Sequence, residues 1–244
     1  MTLIEHLVEL RSRVIKSAVA VAVAAVIAWF LYPSILGLLL EPYKQISGRS
    51  LTRGELLATG PLEPFAVRLK ITAYAAIGIA MPVILWQIWR FVSPGLYSHE
   101  KKYALPFVAA ATVLFVMGAT TAYWTLPKAL DWLSAVGGSD ITQAYTADRY
   151  FQLIIYMMLA FGVCFEFPIL LVFLQLAGIV STDWLRKYRR HAIVVIFIVV
   201  AVATPSNDPI SMMSLALPLC LFYEIAIVIG RVNTRRKRRA AANA

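Results

Sequence analysis

Six apolar runs, separated by short charged stretches, limit what this chain can fold into. The first, Val14 to Leu40, exceeds the roughly 20 residues needed to cross about 30 Å of hydrocarbon. Others follow at about 66–89, 103–126, 150–179, 191–204 and 210–230. Hydrocarbon offers no partner to a backbone N–H or C=O, so such runs are expected as helices that satisfy their own hydrogen bonds. Composition agrees: the 244 residues are 60% hydrophobic and 15% charged, against roughly 45–50% and about 25% in soluble domains. The expected class is an all-α polytopic membrane protein. One membrane domain fills residues 1–230, and a basic tail occupies 231–244.

The opening MTLIEHLVELRSR carries two acids and no small-residue cleavage site, so it does not read as a removable signal peptide. Leu3, Leu7, Leu10 and Val14 recur at helical spacing, with Glu5, Glu9 and Arg13 on another face, which predicts an amphipathic helix ahead of the first span. Residues 41–65 are rich in Pro, Gly and polar side chains and read as an outside loop, and 127–149 as a second. Pro82 is expected to kink the second span. Glu166 and Pro168 interrupt the fourth, and Ser181 is placed to cap the helix after it. Ala192 to Ala203 would cover only about 18 Å as a helix. The last two runs are therefore read as short spans that thin the bilayer locally, or as a re-entrant hairpin. Either arrangement leaves the tail on the same side as STDWLRKYRR (181–190).

Orientation comes from the basic residues. With six spans, the segments 1–17, 90–102, 181–190 and 231–239 share one side and hold sixteen of the 23 lysines and arginines. The positive-inside bias makes that side cytoplasmic, with both termini there. Arg49, Arg53, Arg68 and Lys70 run against the rule. This placement also accounts for the net charge of +10 without nucleic acid, and the terminal RRKRR suits topology and anionic lipid.

Several side chains have more than one reading. Glu9 is either a solvated partner of Arg13, four residues on, or a ligand-binding acid. Glu100, in the polar bend FVSPGLYSHEKK (91–102), either complements a helix dipole behind a Ser98 cap or binds a cation. Glu166 lies mid-span, where an ionised residue costs about 2.5–3.5 kcal/mol on insertion scales, so it calls for a polar partner or a wet cavity. Asp208, in TPSNDP, reads as a turn or cap residue, and Glu224 as an interfacial group. Cys164 and Cys220 sit in apolar runs as small hydrophobes rather than a disulfide pair. His6, His99 and His191 have no metal-site spacing. No GxxxxGK(S/T), HExxH or GxSxG occurs, so neither an enzyme nor a cofactor is expected. A proton-coupled small-solute transporter would explain Glu166, yet the chain shows no internal repeat of the kind such transporters carry.

Four segments in order, HLVELRSR (6–13), SPGLYSHEKK (93–102), FGVCFEFP (161–168) and ALPLCLFYE (216–224), resemble the TatC family over His6 to Gly230. That family is the multispanning receptor subunit of the twin-arginine protein translocase. The resemblance implies six spans in the inner membrane, cytoplasmic termini, and a concave, cupped bundle whose last two spans are short. It implies binding of the Arg-Arg signal peptides of folded cargo at the cytoplasmic face. Self-association and assembly with TatA- and TatB-type single-span subunits are implied too, for export driven by the proton motive force. By motif position, Glu9 and Glu100 match the acids of signal recognition, and Arg11 the basic residue beside them. Glu166 matches an intramembrane carboxylate linked to partner contacts, and Pro42 and Asp208 match functional outside-loop positions. One departure stands out. After TPSNDPIS the family often has Gln, whereas Met212 and Met213 here leave that contact without its amide.

Overall fold

The computed structural model describes residues 3–46, 56–92, 104–137 and 145–242. Among these, eight helices follow in order: α1 (Leu3–Ile46), α2 (Glu63–Val92), α3 (Ala104–Gly137), α4 (Ala147–Cys164), α5 (Phe167–Leu176), α6 (Thr182–Lys187), α7 (Arg189–Ala203) and α8 (Pro209–Ala242). Five stretches, Ile4–Ile46, Glu63–Phe91, Leu105–Gly137, Ala147–Leu176 and Pro209–Val232, are long and apolar enough to cross a membrane. The outward surface is correspondingly oily: Phe30 is 78% exposed and Val202 83%.

The helices depart from the expected boundaries where burial or capping decides. The amphipathic opening and the first span are one continuous α1, which also runs on past the expected loop start to Ile46. Its last turns persist because Tyr43 is fully buried and packs on the rings of Tyr145 and Tyr150, with centroids 6.0 and 5.1 Å away. Pro42 therefore sits buried inside a helix rather than in an outside loop. α3 likewise continues through Pro127, because Leu126, Ala129 and Leu130 face the core. Of the last two runs only α7 is short, with 15 residues or about 22 Å. α8 is not, since its apolar part alone covers 24 residues, about 36 Å.

The fourth run breaks where Glu166 and Pro168 stand. Pro168 cannot donate to the carbonyl four residues back, so α4 ends at Cys164 and α5 starts afresh with the proline in its first turn. The joint stays hydrogen-bonded: Phe165 N–H donates to the Phe161 carbonyl (2.9 Å) and Glu166 N–H to that of Val163 (3.1 Å). α5 then closes on Gly178, at φ +74°, with Gly178 N–H donating to the Gln175 carbonyl (3.2 Å) and Ile179 N–H to that of Leu174 (3.0 Å). This is the left-handed stop that glycine makes inexpensive. Ser181 caps α6, its hydroxyl accepting from Trp184 N–H at 3.1 Å.

α1 packs chiefly on α2, α3 on α4, and α8 on α5, α3 and α7. Small residues let the partners approach. Ala24, Ala76 and Ala80 form the α1–α2 seam. A Cβ at Gly118 would stand 2.5 Å from the Phe161 carbonyl oxygen and 2.9 Å from Gly162 Cα. Backbone blocks it on the α4 side, so the helices would have to separate. Gly118→Val should lower the thermal stability of the detergent-solubilised protein by about 1–3 kcal/mol, the usual cost of overpacking. Gly37→Ala, where an added Cβ meets nothing within 4 Å, should be neutral in the same unfolding measurement.

Candidate functional site

Three polar sites lie along the bundle. The first is at the end holding the N-terminus. Glu9 accepts from Arg13 Nη2 at 2.9 Å, and Arg13 Nη1 reaches Gln87 Oε1 on α2 at 3.4 Å. Three residues before Glu9, the His6 ring stacks on Phe91 with centroids 4.4 Å apart. These two contacts fasten the first turns of α1 to the last turns of α2, so Glu9 stands beside the point where the chain leaves α2. Arg11 points outward and is exposed. Glu100 lies outside the described residues. Glu9 uses one oxygen on Arg13, and a carboxylate has about four lone-pair sites, so it can accept from a further guanidinium. Below it, Trp89, Phe107 and Phe173 meet tilted or edge-on, with centroids 4.2, 5.8 and 6.3 Å apart, and tie α2, α3 and α5 at this level.

The second site is the α4–α5 joint. Glu166 keeps helical backbone angles (φ −72°, ψ −16°), and its side chain makes no capping bond. Its Oε1 is buried with no hydrogen-bond partner. An apolar groove of about 450 Å³ lies between α1, α2, α3 and α4, walled by Leu38, Ile71, Phe115 and Leu159 among others. The groove walls come from these four helices, and Glu166 stands beyond the end of α4.

The third site is the opposite face. Pro42 brings no N–H to the Leu38 carbonyl four residues back. The Tyr123 hydroxyl from α3 donates to that carbonyl at 3.0 Å, and the Tyr150 hydroxyl from α4 donates to Leu39 O at 2.7 Å. Beside them Leu57 pairs with Tyr145 and Ala147, joining the segments before α2 and α4. Glu63 accepts from Thr59 and from Asp148 N–H, and Lys70 pairs with Asp148. Asp208 is fully buried and caps α8, accepting from Ser211 N–H at 2.7 Å and from the Ser206 hydroxyl. The expected cap role of Asp208 is what the structure has.

The chain matches the family model described as Sec-independent protein translocase protein (TatC) over residues 5–218. It belongs to the TatC family. Sec-independent protein translocase proteins TatC from Frankia casuarinae and Aquifex aeolicus are 42% and 37% identical to it. The alignments cover 98% of this chain in both cases, and 68% and 98% of the relatives. A crystal structure of the twin arginine translocase receptor TatC in DDM superposes with a TM-score of 0.78. It is 36% identical, covering 92% of this chain and 99% of that one. This TatC-family chain is accordingly a multi-pass membrane protein and a core subunit of the twin-arginine translocase, and the solute-transporter reading gives way.

Sequence reasoning missed the two tyrosines of the TatC chain's distal face, because only the structure shows Pro42 buried inside a helix, where it orphans a carbonyl that a nearby hydroxyl can meet. It also missed Gln175, which donates to the Ala226 carbonyl on α8 (3.1 Å) and accepts from Thr182 on α6 (3.2 Å). The interfacial Glu224 turned out to pair with Arg189 at 2.7 Å. The Pro42 account is open to a double-mutant cycle. Tyr123→Phe leaves Leu38 O without a donor and should cost about 1 kcal/mol of stability. In a Pro42→Ala background, where residue 42 supplies its own N–H, the same change should cost measurably less.

Proposed function

We propose that this chain is the signal-receiving subunit of the translocase, with Glu9 and Glu100 on its cytoplasmic face taking the two arginines of a signal peptide. The observation that carries the reading is the fastening of α1 to α2. His6 on Phe91 and Arg13 on Gln87 hold the acid of α1 next to the end of α2, the helix that Glu100 follows in the chain. A guanidinium is planar, permanently charged and bonds a carboxylate in a bidentate way, whereas an ammonium is a point charge. Two acids set apart on a rigid frame thus discriminate an arginine pair from a lysine pair. Arg11, exposed beside them, repels a misplaced cation.

The topology that goes with this reading has six spans, α7 being the short one, and both termini in the cytoplasm of a cell with its inner membrane as host. The apolar part of the signal peptide lies along the α1–α4 groove. Glu166 supplies a buried acceptor to a polar atom on a TatA- or TatB-type single-span partner. Cargo of about 100 residues has a radius of gyration near 13 Å, so passage is the work of an assembly that includes further copies and partners. The membrane potential offers about 2.3 kcal/mol per charge per 100 mV to drive it. Pro42 and Asp208 act by shaping the opposite face: one leaves the Leu38 carbonyl free for Tyr123, the other starts α8.

Photocrosslinking with Arg-Arg and Lys-Lys signal peptides tests both parts. The Glu9→Ala, Glu100→Gln double variant should lose signal crosslinks by about tenfold or more, as expected for charge-assisted bonds, while still inserting. Glu166→Ala should instead reduce co-purification of single-span partners and spare signal binding. Undiminished crosslinking to the double variant contradicts the receptor assignment.

A further inference from the structure

Arg68 does not fit the charge logic of the rest of the molecule. It lies five residues into α2, about 7.5 Å from the start of that helix. Its guanidinium carbon stands 4.1 Å from the ring centre of Trp29 and 4.8 Å from that of Tyr32, both on α1. Its Nε is buried with no hydrogen-bond partner, and no carboxylate among the described residues pairs with it. Among the described residues, three acids at this end are engaged elsewhere: Asp148 with Lys70, Glu63 with Thr59 and Asp148 N–H, and Glu41 with Lys44. Phe65, one turn earlier on the same side of α2, is 58% exposed.

A charge on a lipid-facing helix persists where something satisfies it. Two aromatic faces attract the cation and fix its plane, but they offer no oxygen to its N–H groups. What remains is a planar donor fork without an acceptor, near the start of α2. A phosphodiester matches the fork, and Trp and Tyr are the side chains enriched where headgroups meet hydrocarbon. We propose that Arg68, Trp29 and Tyr32 form a binding site for the phosphate of an anionic phospholipid, in the leaflet remote from the N-terminus. The site explains one of the four basic residues that defy the positive-inside bias. Lys70, two residues on, is explained separately by its pairing with Asp148.

The test uses the full chain reconstituted in phosphatidylcholine bilayers doped with phosphatidylglycerol carrying a photoreactive group near the headgroup, with crosslinks mapped by mass spectrometry. Wild type should be labelled near residues 29–32 and 65–69, and Arg68→Gln should lose that label by about tenfold. Labelling of the basic C-terminal tail should be equal in both proteins, which controls for folding and insertion. A photoreactive phosphatidylcholine should label the site weakly, and excess inorganic phosphate should not displace the lipid. Equal labelling of Arg68→Gln and wild type overturns the proposal, as does equal labelling by phosphatidylcholine. Displacement by free phosphate would make it a soluble-anion site. Loss of co-purifying single-span partners from Arg68→Gln, with lipid labelling intact, would give the cation to a protein carboxylate.

Discussion

Hydrocarbon gives no partner to a carbonyl or a charge, and the internal bonding of this chain follows from that lack. Thr112, Thr120, Thr121 and Thr125 each turn the hydroxyl back onto the carbonyl four residues earlier. Gln175 spends its amide on α6 and α8 at once. The fully buried Asp208 is matched by a backbone N–H and a serine hydroxyl. Even the carbonyl orphaned by Pro42 is met by Tyr123. Each bond contributes modestly, but leaving the group unmade in lipid costs several kcal/mol. The polar atoms therefore decide which helix faces can meet.

Against this background, three groups with bonding capacity to spare gain meaning. Glu166 keeps a buried, unpartnered oxygen at a joint that proline has already weakened, and the surrounding helices do nothing to relieve it. Arg68 has rings but no anion. Glu9 has one guanidinium and room for another. In the proposed function and the lipid-site proposal they differ in what they accept: a partner's polar atom, a phosphate, an arginine.

Much of this was legible in the sequence, because a period of 3.6 and the cost of charge in lipid act locally. The long apolar runs, the break at Glu166–Pro168, the Ser181 cap, the Glu9–Arg13 spacing and the capping role of Asp208 all follow from neighbours in the chain. The extensions of α1 and α3 were not legible. Pro42 and Pro127 ordinarily announce an end, and only the burial of Tyr43 and Leu126 by distant helices overrides them. Nor could sequence pair Arg13 with Gln87 or Lys70 with Asp148, since both depend on how neighbouring helices are staggered.

The central claim is that the opening of α1 is fastened to the exit of α2, so that one face of the membrane holds both acids. Cysteines introduced as His6→Cys and Phe91→Cys measure it directly, by oxidative crosslinking of the full chain in native membranes without signal peptide. The account predicts rapid intramolecular crosslinking, and labelling of single cysteines at positions 9 and 100 by an impermeant thiol reagent from the same side. Absence of the crosslink, with positions 9 and 100 labelled from opposite sides, would contradict it.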